Sequence, residues 1–297
     1  MIELEGITKV YPDGFQALGG VSLCLDRGMF GLLGHNGAGK TTLLSILVLG
    51  LEPTAGRRTY DGLDATRSRD RAAIRSHIGY LPQDYQPLRA ASGREYLLHC
   101  ARLRGVPLGR RQLRQRVEDL LAAVGLEAAA HRAAGSYSGG MKRRLGIAQA
   151  LIHSPRLLVI DEPTAGLDPE ERIRFRNLIA EVAEHTAVLL STHIVEDVEA
   201  TCPRLGVMAG GRLLFDGPPS ELLRQSAGRL WQVPAESPLP AGAVEVTVRA
   251  DRKGGIERVV WSEAPPPGGA PRQAGLEESY AAFLVRHGAR PGPEDGA

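Results

Sequence analysis

The chain has 297 residues, 43% of them hydrophobic, enough to bury a full core in one or two domains. Its net charge of +2 gives no electrostatic reason to expect nucleic acid or an acidic surface as a partner. Lys9, Lys40, Lys142 and Lys253 are its only lysines among 36 basic residues, so any lysine inside a motif stands out.

In chain order, the opening "MIELEGITKV" has neither a basic n-region nor an apolar h-region and is not expected to be a signal peptide. From residue 1 to about 85, short apolar strands alternate with glycine turns. "GMFGLLG" (28–34) reads as a buried strand that runs into a glycine-rich loop, followed by "KTTLLSILVLGL", a helix expected to end at Pro53. "HIGYLP" (77–82) is a further strand. From about residue 90 to 153 the pattern is helical. Ser92-Gly93-Arg94-Glu95 matches a capping box, and "LRQRVEDLLAAVGL" places Leu113, Val117, Leu120, Leu121 and Val124 on one face. A third helix begins after Ser138-Gly139-Gly140. Its charged residues Lys142, Arg143 and Arg144 are expected on a solvated face.

Strands then return at 156–161, 186–191, 204–210 and 211–217, with a helix between the first two whose apolar residues are Ile173, Leu178, Ile179 and Val182. Near-continuous apolar strands alternating with helices predict a parallel sheet covered on both faces, interrupted by a helical insertion. Beyond Asp216-Gly217-Pro218-Pro219, "VEVTVRA" and "IERVVW" alternate with period two around Arg252-Lys253-Gly254-Gly255, a predicted hairpin. "APPPGGAP" (264–271) reads as a linker and "LEESYAAFLV" (276–285) as a short helix. The residues from about 289 are expected to be disordered. Trp231, Trp261 and Tyr280 are expected to form the small core of this tail. Cys24, Cys100 and Cys202 are odd in number, far apart and in no metal-binding spacing, which suits small apolar fillers in a reducing setting. No apolar run approaches the length of a membrane span, and no internal repeat is visible.

Two stretches carry chemistry. Gly34-His35-Asn36-Gly37-Ala38-Gly39-Lys40-Thr41 matches G-x-x-x-x-G-K-[ST] after a strand and before a helix. Glycines there let backbone N–H groups close around phosphates, Lys40 adds a point charge for the β/γ phosphates, and the Thr41 hydroxyl can ligate Mg²⁺. In "LLVIDEPTAGLD" four apolar residues lead to Asp161 and Glu162 at a strand's end. Asp161 would hold Mg²⁺ and Glu162 would orient or deprotonate an attacking water. The expected activity is nucleoside triphosphate binding and hydrolysis.

With these residues in place, the chain resembles the ATP-binding subunit of an ABC transporter over residues 1 to about 220. Ser138-Gly139-Gly140 with Met141 and Lys142 resembles that family's signature loop, although Tyr137 and Met141 replace its usual Leu and Gln. "DEPTAGLD" resembles the Walker B and D-loop, closed by Asp168. "YLPQD" places Gln83 as the Q-loop residue and a further Mg²⁺ ligand, and "LLSTH" places His193 as the switch histidine. Tyr11 fits the aromatic that stacks on adenine, and Thr42 completes the phosphate loop.

The resemblance implies an α/β fold: a P-loop NTPase core with a parallel sheet, an N-terminal antiparallel β subdomain and an inserted helical subdomain at about 86–153, together spanning 1–218. A small α+β C-terminal extension would occupy 219–297. It implies ATP and Mg²⁺ as cofactors, with Glu162, His193 and Gln83 catalytic. A dimer, of two such chains or with a related ATPase subunit, would sandwich two ATP, each between one chain's phosphate loop and the other's Ser138–Gly140. An integral-membrane permease would be the further partner, placing the chain on the cytoplasmic side of the membrane, with no nucleic acid bound. "YSGGMKRR" is similar to forms in the export branch that pairs with separate drug, polysaccharide or peptide permeases. The alternatives are a soluble ABC ATPase acting on ribosomes, DNA or cluster assembly, and an importer's ATPase.

Overall fold

The computed structural model describes residues 1–164, 167–250 and 256–288. The expected hairpin turn at 252–255, part of the 161–168 loop and the residues from 289 lie outside the described residues. The chain begins with strands β1 (Ile2–Val10), β2 (Gln16–Leu25) and β3 (Gly28–Leu33), then α1 (Lys40–Leu47), β4 (Ala55–Tyr60), β5 (Leu63–Asp64), α2 (Ser68–Ser76) and β6 (Ile78–Leu81). Three longer helices follow: α3 (Gly93–Leu103), α4 (Arg110–Ala123) and α5 (Gly139–Leu151). Strands and helices then alternate as β7 (Leu157–Asp161), α6 (Pro169–Ala183), β8 (Ala187–Thr192), α7 (Val195–Thr201), β9 (Arg204–Ala209) and β10 (Arg212–Gly217). The tail holds α8 (Pro219–Ser226), β11 (Leu230–Pro234), β12 (Val244–Ala250), β13 (Ile256–Trp261), β14 (Ala270–Pro271) and α9 (Leu276–Arg286).

The main sheet runs β10-β9-β3-β8-β7-β6. Every residue of β7 and β8 is buried, as a sheet covered on both faces requires. Side chains alternate between two cores. Leu157, Val159 and Leu189 pack with α1 and the antiparallel sheet β2-β1-β4-β5. Leu158, Ile160, Val188 and Leu190 pack with α3 to α7 on the other side. The sheet is mixed rather than all parallel, because β10 pairs antiparallel with β9. Only Gly210 and Gly211 join the two, both at positive φ (54° and 72°), and a two-residue turn can connect antiparallel strands alone.

The helical block follows its local code. Ser92 and Glu95 make both bonds of the capping box at the start of α3, and α4 buries Leu113, Val117, Leu120 and Leu121. Three expectations are corrected. Helix α1 stops at Leu47, well short of Pro53, because Leu49 turns left-handed (φ 59°) and the amides of Gly50 and Leu51 both fold back onto the Ser45 carbonyl. Ile173 is 56% exposed, since it lies about half a turn from Phe175 on α6, whose buried face is Phe175, Leu178 and Ile179. Arg143 and Arg144 are part-buried rather than solvated, and both donate to main-chain carbonyls.

The tail forms its own sheet, β12-β13-β11-β14, so the expected linker contributes a short edge strand. Leu230, Val246, Val259 and Trp261 cluster there with Ala282. Trp261 belongs to this small core as expected, Trp231 is only half-buried, and Tyr280 instead joins the main core with Leu222, Phe283 and Leu284. The rings of Phe215 and Phe283 meet edge to face at 5.9 Å, which fastens α9 to the main sheet. The three cysteines are free, Cys202 fully buried and the other two partly so.

Candidate functional site

The main sheet brings the ends of four neighbouring parallel strands, β3, β8, β7 and β6, to one edge. Ligands of open α/β sheets bind at this carboxyl edge. Gly34 to Thr42 follow β3, His193 follows β8, Asp161 and Glu162 end β7, and Gln83 follows β6.

The loop after β3 needs its glycines for two reasons. Gly37 (φ 81°) and Gly39 (φ 99°) adopt left-handed backbone, while Gly34 is packed so tightly that a Cβ would lie 2.7 Å from the Met208 carbonyl oxygen. Gly39 caps α1 without a side-chain acceptor, so the first-turn amides stay open to an anion. Lys40, 6% exposed, folds back across the loop, its ammonium donating to the Gly34 carbonyl. Tyr11 stands beside this loop, its hydroxyl 3.4 Å from Thr42 Oγ1.

Across β8, the two carboxylates are nearly sealed from water, Asp161 at 2% and Glu162 at 6% exposure. Lys40 Nζ lies 3.4 Å from Glu162 Oε1, and His193 Nδ1 lies 2.7 Å from Glu162 Oε2. Among the described residues, none donates a hydrogen bond to either Glu162 oxygen. Thr41 Oγ1 lies 3.5 Å from Asp161 Oδ2, the Ser191 hydroxyl is near the same carboxyl, and among the described residues none donates a well-formed hydrogen bond to Asp161 Oδ1. Burial pushes the Asp161 carboxyl above its ordinary range; the nearby Ser191 hydroxyl opposes this, the Glu162 charge adds to it, and Lys40 and Thr41 oppose it less. Buried carboxylate oxygens without donors are costly unless a ligand compensates them. A hydroxyl and a carboxylate are hard oxygen donors that fit a divalent cation such as Mg²⁺. Among the described residues no cluster of three or more His, Cys, Asp or Glu could hold a metal, so Thr41 and Asp161 would hold such a cation only together with further oxygen ligands.

Ser138 caps α5, its Oγ accepting from the Met141 amide at 3.1 Å. This gives a second helix N-terminus whose opening residues, Gly139 and Gly140, have no side chains to shield their amides. Asp168 caps α6 and accepts from the Glu171 amide at 2.8 Å. The Glu171 carboxylate lies directly against Gly140, where any Cβ would collide with it. Gln83 is exposed on the loop after the edge strand β6, outside the buried cluster of Lys40, Asp161 and Glu162.

Three features were not visible in sequence. Tyr137, in the place of a leucine, is buried and donates to the Ala129 carbonyl at 2.7 Å, a packing role. Arg143 donates from Nη1 to the Glu162 carbonyl oxygen at 2.5 Å. Asp197 of α7, 1% exposed, takes both Nε (3.0 Å) and Nη2 (2.5 Å) of Arg176 and the Thr164 hydroxyl, fastening the helix after His193 to the segment after Glu162. Each is a contact between elements, for which spacing along the chain carries no signal.

Residues 18–165 match the family described as ABC transporter. The chain is 36% identical over 240 residues to the uncharacterized ABC transporter ATP-binding protein YxlF of Bacillus subtilis, covering 80% of this chain and 78% of that protein. It is 39% identical over 235 residues to ABC transporter A family member 4 of Arabidopsis thaliana, covering 76% of this chain but only a quarter (25%) of that much longer protein. Among solved structures, cbiO1 from Clostridium perfringens, part of an ABC transporter complex, superimposes with a TM-score of 0.69 at 30% identity, over 75% of this chain and 90% of that one. A dimeric ATP-binding cassette in a post-hydrolysis state with ADP and Pi shares the fold, with a TM-score of 0.67 at 23% identity over 73% of this chain and 98% of that one.

Proposed function

This chain is an ATP-binding subunit of the ABC transporter family, an ATPase, and from that premise we propose that it works as a head-to-tail pair that drives export through a separate membrane-spanning permease. In this reading each ATP lies between the Gly34–Thr42 loop of one chain and Ser138–Gly140 of the other, two anion sites per chain calling for two chains. Tyr11 packs on the adenine. The phosphates draw Lys40 away from Glu162, and Glu162 then accepts a proton from the water whose oxygen attacks the γ-phosphorus. The bond from that phosphorus to the β–γ bridging oxygen breaks and ADP leaves. His193, against the same carboxylate, holds it and faces the γ-phosphate. Thr41 and Asp161, with Gln83 swung inward, would hold a Mg²⁺ that supplies charge neutralisation on the β and γ phosphates. Asp168 contributes from the loop that reaches the partner.

The observation that carries this reading is the Lys40–Glu162–His193 chain of contacts at the sheet edge, its Lys40 and Glu162 buried and its His193 half open to solvent, as a site awaiting phosphate would be. Export is supported by the Tyr137–Arg144 stretch, whose sequence is similar to forms in the export branch. Among the described residues no helix is long and apolar enough to cross a membrane, which suits attachment to the cytoplasmic side of the membrane through the permease.

The test is capture with Glu162→Gln, tagged, expressed in its native host and solubilised in mild detergent with ATP. The expected result is a dimer bound to a multi-span protein without an ATPase domain of its own, whose substrate then leaves the cytoplasm in transport assays. Recovery with ribosomes or DNA-bound proteins would replace the transporter reading with a soluble one. Uptake of the substrate would replace export with import.

A further inference from the structure

The first half of helix α5 faces two places. Its cap presents Ser138, and five residues on it presents Arg143, whose side chain crosses to the end of β7 and donates to the main-chain carbonyl of Glu162 at 2.5 Å. Glu162 needs such support. Its φ of 47° lies in the left-handed region, which residues with a side chain avoid and which persists only where the surroundings impose it. Its amide donates to the Ser191 carbonyl at 2.9 Å, and its carbonyl receives Arg143. These two bonds hold the peptide planes on either side of the Glu162 Cα, and so aim its carboxylate. Arg143 is part-buried, and the acidic groups that act on its charge are Glu162 and Asp84, the neighbour of Gln83. A charged donor on a neutral carbonyl is among the stronger hydrogen bonds.

We propose that Arg143 is a positioning residue for hydrolysis: from the helix whose cap docks the opposing chain's nucleotide, it holds Glu162 of its own chain in the geometry that lets the carboxylate take the proton from water. The proposal rests on the reading of Glu162 as the base. Its consequence is that one helix ties the two nucleotide sites of the pair together. Docking of ATP on Ser138 concerns one site, and the Glu162 that Arg143 steadies serves the other.

The experiment compares the full-length chain with Arg143→Gln, Arg143→Met, Arg143→Lys and Glu162→Gln, measuring steady-state ATP hydrolysis, binding of a fluorescent ATP analogue and the unfolding midpoint. Arg143→Gln and Arg143→Met are expected to lower kcat about tenfold or more, with KM and analogue affinity within about twofold of the parent. Arg143→Lys, with one charged donor in place of the fork, should recover part of kcat. A purely structural role would move the midpoint and the amount of active protein without this split. Either neutral variant, folded and with kcat within about twofold of the parent, overturns the assignment, and so does a rise in KM at unchanged kcat. Glu162→Gln separates the two readings: if it is inert while Arg143→Gln turns over normally, only the role of Arg143 fails. If Glu162→Gln hydrolyses ATP at the parent rate, the base itself is wrong and the proposal falls with it.

Discussion

Replacing Lys40 with Met tests the electrostatics of the site in the absence of nucleotide. The Lys40 and Glu162 side chains are 6% and 7% exposed and 3.4 Å apart. Removing the ammonium leaves Glu162 a buried carboxylate that accepts no hydrogen bond from the described residues, beside a second, Asp161, whose carboxyl is already pushed up by burial. Breaking a buried pair by removing one partner costs about 3–5 kcal/mol. The lower end applies here, about 3 kcal/mol, because His193, 2.7 Å from Glu162, is itself half exposed and leaves that side of the carboxylate within reach of water. In a chain of this size that corresponds to a fall in Tm of roughly 6 °C. The cost is charge-specific, so Lys40→Met combined with Glu162→Gln should be about as stable as Glu162→Gln alone, a coupling of about 2–3 kcal/mol. Urea unfolding of the four proteins at pH 7, without nucleotide or metal, measures the cycle. A loss below about 0.5 kcal/mol, or one that Glu162→Gln does not relieve, would refute the view that Lys40 neutralises Glu162 before ATP arrives.

Four further outcomes are expected. Gly140→Ala puts a Cβ into the Glu171 carboxylate and beside the docking amides. ATP binding should stay within about twofold of the parent, while ATP-driven pairing in the Glu162→Gln background disappears. Light scattering after gel filtration reads the pairing, and an undiminished dimer would count against Ser138–Gly140 as the docking loop. Asp161→Asn should be more stable than the parent at pH 7 without ligands, because a carboxyl raised on folding opposes stability as pH rises above its unfolded value near 3.8 and does so fully above its folded value. That advantage should vanish as pH falls toward 3.8, Mg²⁺-dependent hydrolysis should be lost, and equal stability at pH 7 would contradict the argument. Tyr11→Ala should weaken ATP binding about tenfold in equilibrium titration, with Tyr11→Phe near normal; unchanged binding by Tyr11→Ala removes the adenine contact. Phe283→Ala should cost about 3 kcal/mol while urea unfolding keeps a single transition, whereas two separate transitions would show that the tail folds apart from the main core.

Much of the site was legible because it is written locally. The phosphate loop is marked by glycines that its backbone angles require, the β7 end by apolar residues running into Asp161, and the α5 start by Ser138, which does cap its helix. Strand and helix order followed from periodicity, and the capping box at Ser92 formed as read. Less legible was whatever lies across a gap. Lys142, Arg143 and Arg144 read as a solvated face because helical spacing tells which residues share a side, and says nothing of the element packed against it. Arg143 meets Glu162, and Arg144 meets the Val124 and Gly125 carbonyls at the end of α4. Tyr280 looked like part of a separate small core and instead fills the main one.

The sequence by itself determined the groups on offer: a glycine-rich loop before a helix, two carboxylates at a strand end, a histidine after the next strand and a second glycine-rich helix start capped by Ser138. Each depends on φ angles, caps and side-chain alternation set within a few residues. Only the tertiary structure decided which of these groups meet. Lys40, Glu162 and His193 sit on segments far apart in the chain and converge because β8 was inserted between β3 and β7. Strand order is a property of the whole packed sheet, chosen by burying both of its faces at once, and no short window of sequence encodes it.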